Sequence, residues 1–205
     1  MPARAATPFD APRISALLEK SLHTPEAVLA SALPVPFAGG AVPGMRRMAV
    51  GLAGIAGGRL HVFLEEYRGQ LRSAALVYDG RRPEWVILLL GAMYEPGGAD
   101  SAFRLLSGIS AAAARAGMHR LFAAVPDETR ARETFFQAGF YSYTRETWLV
   151  ASAQLGEPRH SGARRAGSAD AHDLFRFYAA TTPHAVQRAE QLSVPDFDAT
   201  RRGGA

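Results

Sequence analysis

Six histidines stand at positions 23, 61, 119, 160, 172 and 184, and no two of them lie at the spacing of a metal site. No H-E-x-x-H, G-x-x-x-x-G-K-[ST] or G-x-G-x-x-G pattern occurs, so a zincin, a P-loop and a dinucleotide fingerprint are excluded. Gly108-Ile109-Ser110 opens a G-x-S-x-G pattern that fails at Ala112, and it lies mid-helix where a serine nucleophile needs a strand-to-helix elbow. Zero cysteine removes thiolate metal sites, disulfides and a Cys nucleophile, and fits a reducing compartment. Asp100 follows a turn at Tyr94-Glu95-Pro96-Gly97-Gly98 and has the type and place of a helix N-cap, which needs no ligand.

Composition narrows the partners. The 205 residues are 48% hydrophobic and 20% charged, with 20 Gly and 13 Pro, as in a globular chain of one or two domains. The net charge is +4, yet the pI is about 9.8, because Lys20 is the only lysine among 23 basic residues. Arginine keeps its charge at high pH and lifts the pI without adding field at neutrality. The pairs Arg46-Arg47, Arg81-Arg82, Arg164-Arg165 and Arg201-Arg202 are separated by acids, as on solvated faces, so no nucleic-acid partner is expected. The apolar run at residues 48–58 is too short for a span of roughly 20 residues, and MPARAATPFDAPR lacks the pattern of a secretory leader. A cytoplasmic protein with no membrane partner is expected.

The elements follow from periodicity. An extended piece at Ala3–Ala6 precedes a helix capped by Asp10, whose Ile14, Leu17 and Leu18 share one face. Helical stretches are predicted for Glu26–Ala32 and, after a Pro/Gly-rich break, Met45–Ile55. From Arg59 the period becomes two. Leu60 to Glu65 alternate, Tyr67-Arg68-Gly69-Gln70 turns, and Leu71–Tyr78 returns as the second strand of a hairpin. Trp85–Ala92 reads as a strand buried on both faces. A helix over Asp100–Ala116, with Phe103, Leu106 and Ile109 on its apolar side, ends at Gly117. A strand at His119–Val125, a helix at Thr129–Ala138 closed by Gly139, and a strand at Phe140–Val150 complete a mixed α/β sheet with flanking helices.

The chain also resembles itself. Thr24-Pro25-Glu26-Ala27-Val28 returns as Thr182-Pro183-His184-Ala185-Val186. Upstream, Arg4, Asp10 and Ile14/Leu17/Leu18 have counterparts in Arg165, Asp170 and Leu174/Phe177/Tyr178. Residues 161–192 thus read as a helical partial repeat of residues 1–32.

The stretch Arg132 to Glu146 (RETFFQAGFYSYTRE), with Gln-Ala-Gly-Phe at 137–140, resembles the closing helix and strand of the GNAT acetyltransferase superfamily. Element order extends the resemblance over Ala3–Val150, and the repeated opening is similar to tandem-domain members. The resemblance implies a GNAT-like domain at 1–150, a linker at 151–163 and a partial second copy at 164–205. It implies acetyl-CoA as the acyl donor, with the pyrophosphate at the start of the central helix, where glycines admit close approach and free N–H groups point outward. The family pattern falls on Gly97, Gly98, Ala99, Asp100, Ser101 and Ala102, of which Ala102 fits. Gly97 replaces the usual Gln or Arg, and Asp100 replaces a glycine; a register shifted by two uses Glu95 and Gly98 and leaves Asp100 last. A carboxylate there weakens an anion site unless it turns away to cap the helix. Backbone groups of Leu90, Ala92 and Met93 are implied to hold the pantetheine arm. Phe135 stands where many members carry a Tyr proton donor, and Phe135 and Phe136 read as core residues.

Two functions follow from that likeness. One is transfer of an acetyl group to an amine, the catalytic acid and base being unassigned; the other is a non-catalytic GNAT-like module whose acetyl-CoA site is weakened or lost. A homodimer through the C-terminal segment is expected, since a lone amphipathic helix is marginal in water.

Overall fold

A computed structural model describes residues 3–23, 28–31, 59–80, 82–93, 101–127, 130–147 and 164–198. The predicted helix at Met45–Ile55, the turn at 94–98, residues 97–100 and the linker at 151–163 lie outside these. The chain divides into two units, Met1–Tyr141 and Ser142–Ala205.

The first unit is built on a mixed sheet. Its strands are β1 (Arg4–Ala5), β2 (Val28–Ser31), β3 (Leu60–Tyr67), β4 (Gln70–Asp79), β5 (Glu84–Ala92) and β6 (Arg120–Ala123). The order is β1-β3-β4-β5-β2, with β6 also on β5. All pairings are antiparallel except β5 with β6, which is parallel and is reached by the crossover helix α2 (Ser101–Arg115). The hairpin turn places Arg68 and Gly69 at φ 51° and 76°, the left-handed pair that joins twisted strands.

Helices cover both faces. Ile14, Leu17 and Leu18 of α1 (Ala11–His23) lie on Leu64, Ala74, Leu76 and Leu89. On the other face, Leu105, Leu106 and Ile109 of α2 and Phe135 of α3 (Arg130–Gln137) pack on Phe63, Val77, Trp85, Ile87 and Leu90. Burying each such side chain is worth about 1.5–3 kcal/mol. Gly91 faces α1, where an added Cβ would stand 2.7 Å from Leu18 Cδ2; a bare backbone lets the helix approach.

Four expectations change. Residues 28–31 form a strand in place of the helix predicted for Glu26–Ala32, because the free edge of β5 offers partners to an extended segment. Residues 140–147 are not a strand: among the described residues β6 pairs only with β5, and Tyr141 is 79% exposed. β-Propensity alone does not make a strand. Phe103 and Phe136 are exposed, and Arg132 lies 5.2 Å over the Phe136 ring. The apolar face of α2 instead runs through Ala102, Leu105, Leu106, Ile109 and Ala113.

In the second unit, a 3-10 turn at Ser168–Asp170 leads into α4 (Ala171–Thr181), α5 (His184–Glu190) and a 3-10 turn at Val194–Phe197. Phe175 and Tyr178 meet the Phe197 ring at 6.0 and 5.4 Å, and Tyr178 donates to Glu190. Arg164, where the sequence pointed to Arg165, pairs with Asp170.

Candidate functional site

The apolar run of β5 hides an irregularity. Leu76 of β4 stands opposite Leu89 and Val77 opposite Ile87, so Leu88 is an extra residue on β5. This bulge reverses the alternation: Trp85 and Ile87 face α2 before it, Leu90 and Ala92 after it. At the same point β5 changes partner. The parallel pairing with β6 ends at Ile87 with Ala123. Beyond it, β2 pairs over Ser31 with Leu89, Ala30 with Leu90, Leu29 with Gly91 and Val28 with Ala92.

The Met93 N–H donates to the Arg72 carbonyl of β4 at 3.1 Å. Backbone direction alternates along a strand, so Gly91 also faces β4, while the backbone groups of Leu90 and Ala92 face β2. Of the three residues implied to hold a pantetheine arm, Leu90 and Ala92 therefore share one edge and Met93 points to the other.

Ser101 and Ala102 open α2 and are both buried. The Ser73 hydroxyl donates to the Ser101 carbonyl at 3.0 Å and ties the first turn of α2 to β4. Nearby Glu65, fully buried on β3, accepts from Arg104 Nε at 2.8 Å and has the Arg104 Nη2 2.6 Å away in an ion pair. Sequence reading missed this pair; its signal was an acid at an inward position of the β3 alternation, opposite an arginine one turn into the central helix.

Phe135 is core, edge-on to Phe140 at 4.9 Å, and brings no proton donor. His61 stacks on Trp85 at 5.0 Å with Asp79 Oδ2 3.8 Å from Nε2, at the opposite end of β5 from Ala92. Among the described residues no three His, Cys, Asp or Glu converge as metal ligands. None of the described helices is long and apolar enough to cross a membrane.

No protein-family model matches the sequence, and no curated protein matches it. Solved structures do match. The ribosomal-protein-alanine N-acetyltransferase from Brucella melitensis biovar Abortus 2308 aligns at TM-score 0.52 and 11% identity, over 74% of this chain and 100% of that one. An aminoglycoside N-acetyltransferase in complex with CoA aligns at TM-score 0.52 and 11% identity, over 74% of this chain and 94% of that one. The chain has the GNAT acetyltransferase fold. Within this GNAT fold, the start of α2 carries Ser101 and Ala102 where the phosphates of acetyl-CoA are implied to lie. The edge implied for the arm does not fit an added ligand as it stands, because β2 already pairs with it.

Proposed function

We propose that the protein is an N-acetyltransferase that moves an acetyl group from acetyl-CoA to an amine. The supporting observation is the bulge at Leu88, past which β5 runs on beyond the end of its pairing with β6. A GNAT-fold neighbour that holds CoA adds weight. When bound, acetyl-CoA supplies a thioester carbonyl. The chain supplies N–H groups at Ser101 and Ala102, with Gly97, Gly98, Ala99 and Asp100 before them, and backbone groups of Leu90, Ala92 and Met93 for the arm. Proximity and orientation then carry most of the rate. The acceptor is a small amine or a peptide amine.

A second reading, a non-catalytic module, is favoured by the phenyl ring of Phe135. Calorimetry of acetyl-CoA with wild type, Asp100→Gly and Asp100→Ala separates the two. Tighter binding by both variants marks Asp100 as a charge beside the phosphates, and tighter binding by Asp100→Gly alone marks backbone approach. Thiol release with aminoglycoside, polyamine and N-terminal alanine peptide acceptors then reports turnover, free of background because the chain has no cysteine. No binding by any of the three at millimolar acetyl-CoA would leave the non-catalytic module.

The same likeness supports reading residues 164–205 as a partial second copy of the opening. Arg164 and Asp170 repeat the spacing of Arg4 and Asp10. The exposed Leu174 and Phe177 suit pairing of two chains through this segment. Sedimentation of the full chain at rising concentration tests that pairing.

A further inference from the structure

The backbone edge implied for an acyl-CoA arm carries a strand of the protein itself. β2 begins opposite Ala92 and ends opposite Leu89, one residue past the bulge. It thus covers the stretch that β5 exposes on leaving β6. β2 also contacts α1 and α3. We propose that residues Val28–Ser31 are a built-in occupant of this edge, and that acetyl-CoA binds only when β2 leaves it. The inference rests on the acyl-CoA reading above.

An extended arm satisfies a strand edge through the same inward N–H and C=O groups that another strand uses, so the two occupants exclude each other. Leu90 faces β2, so its direct partner Ala30 exchanges both backbone hydrogen bonds with it, and Val28 does the same with Ala92. At four residues, β2 is short for a strand and is the element of this sheet, β1 and β6 apart, with the least to lose on release. Apparent affinity falls by the fraction of molecules whose edge is free. An edge free in about one molecule in ten to one in a hundred weakens binding about 10- to 100-fold.

The test is Ala30→Pro in the full chain, since proline has no N–H to give Leu90. Calorimetry with acetyl-CoA should show binding at least about 10-fold tighter than wild type. Hydrogen exchange supplies a readout without any substitution: in wild type, acetyl-CoA should speed exchange at the Val28 and Ala30 amides while Leu90 and Ala92 stay protected. Slow exchange along α2 in Ala30→Pro verifies that the core has folded. Equal affinities, with no change at Val28 and Ala30, overturn the proposal and leave the acetyltransferase reading standing. If neither protein binds although Leu90 and Ala92 exchange freely in Ala30→Pro, the acyl-CoA reading fails and this proposal falls with it.

Discussion

In the turn before α1, both Nη atoms of Arg4 donate to Asp10 at 2.9 Å, and the Thr7 N–H donates to Asp10 Oδ2 at 2.8 Å. In the turn before α4, Arg164 donates to Asp170 at 2.7 and 2.6 Å, and the Gly167 N–H donates to Asp170 Oδ2 at 2.8 Å. Even the minor bond repeats, Arg4 to the Ala5 carbonyl and Arg164 to the Arg165 carbonyl, both at 3.2 Å. The helices that follow differ. Leu17 is 7% exposed and Phe177, at the same place in its helix, is 68% exposed. A polar turn of this kind closes on its own neighbours, so a short sequence suffices to specify it. Burial of the helix face needs a sheet, and among the described residues only the first unit has one.

The largest effect expected from this difference is in the helix faces. Leu17→Ala should cost about 2–5 kcal/mol of first-unit stability, through lost burial and the cavity left against the sheet. Phe177→Ala should change stability by less than about 0.5 kcal/mol, as at an exposed site. Denaturant unfolding of both variants measures the pair. Comparable losses would mean that Phe177 is covered in solution, and a concentration dependence of the Phe177→Ala loss would identify a second copy as the cover.

A smaller effect belongs to the contact between α1 and the sheet. Gly91→Ala places a Cβ within 2.7 Å of Leu18 Cδ2 and 3.3 Å of Ser21 Oγ. Overpacking of this kind costs about 1–3 kcal/mol. The Leu18→Ala, Gly91→Ala double variant should be less destabilised than the sum of its parts, because truncating Leu18 makes room for the new methyl. Strict additivity would show that the helix shifts away as a whole.

Elements made by near neighbours were legible in the sequence. The Ile14/Leu17/Leu18 face, the Arg68-Gly69 turn, the C-terminal glycines of α2 and α3 and the β3–β4 hairpin all follow from local periodicity and backbone preference. What the sequence hid depends on distant partners. Val28–Ser31 becomes a strand only because β5, some sixty residues on, has a free edge, and its own pattern reads equally as helix. The Leu88 bulge is invisible within Trp85–Ala92 because every residue around it is apolar, so a reversal of alternation leaves no mark. At Phe140–Val150 the error ran the other way, since aromatic and β-branched residues promise a strand that the described part of the segment does not form. Of the residues the resemblance implied, Leu90, Ala92 and Ala102 lie in the core against α2, while the buried pair Glu65 and Arg104 carries no motif.

The smallest effect sharpens the comparison of the turns themselves. Hydrogen bonds from Arg4 and then from the Thr7 N–H hold the Asp10 carboxyl well below the usual carboxylate range; Arg164 and then the Gly167 N–H do the same for Asp170. A carboxyl with a depressed folded value stabilises the fold above its unfolded value of about 3.9, and that stabilisation is lost as pH falls through the folded value. Both turns should therefore weaken below about pH 4. Around Asp10 a second acid shares the window, because Glu66 accepts from Arg4 at 3.2 Å, lies 2.7 Å from Arg13 and is also lowered, mainly by Arg4. Acidification from pH 5 to pH 3 should consequently lower the first unit's unfolding midpoint, and Asp10→Asn should start lower and fall less steeply, the remaining slope coming from Glu66. Among the described residues no second acid pairs with Arg164, so the acid response of the Gly167 amide shift should vanish with Asp170→Asn alone. Nuclear magnetic resonance of the Thr7 and Gly167 amides follows both turns in one titration. A Gly167 response that survives Asp170→Asn would show that the second turn is held by something other than the pair it shares with the first.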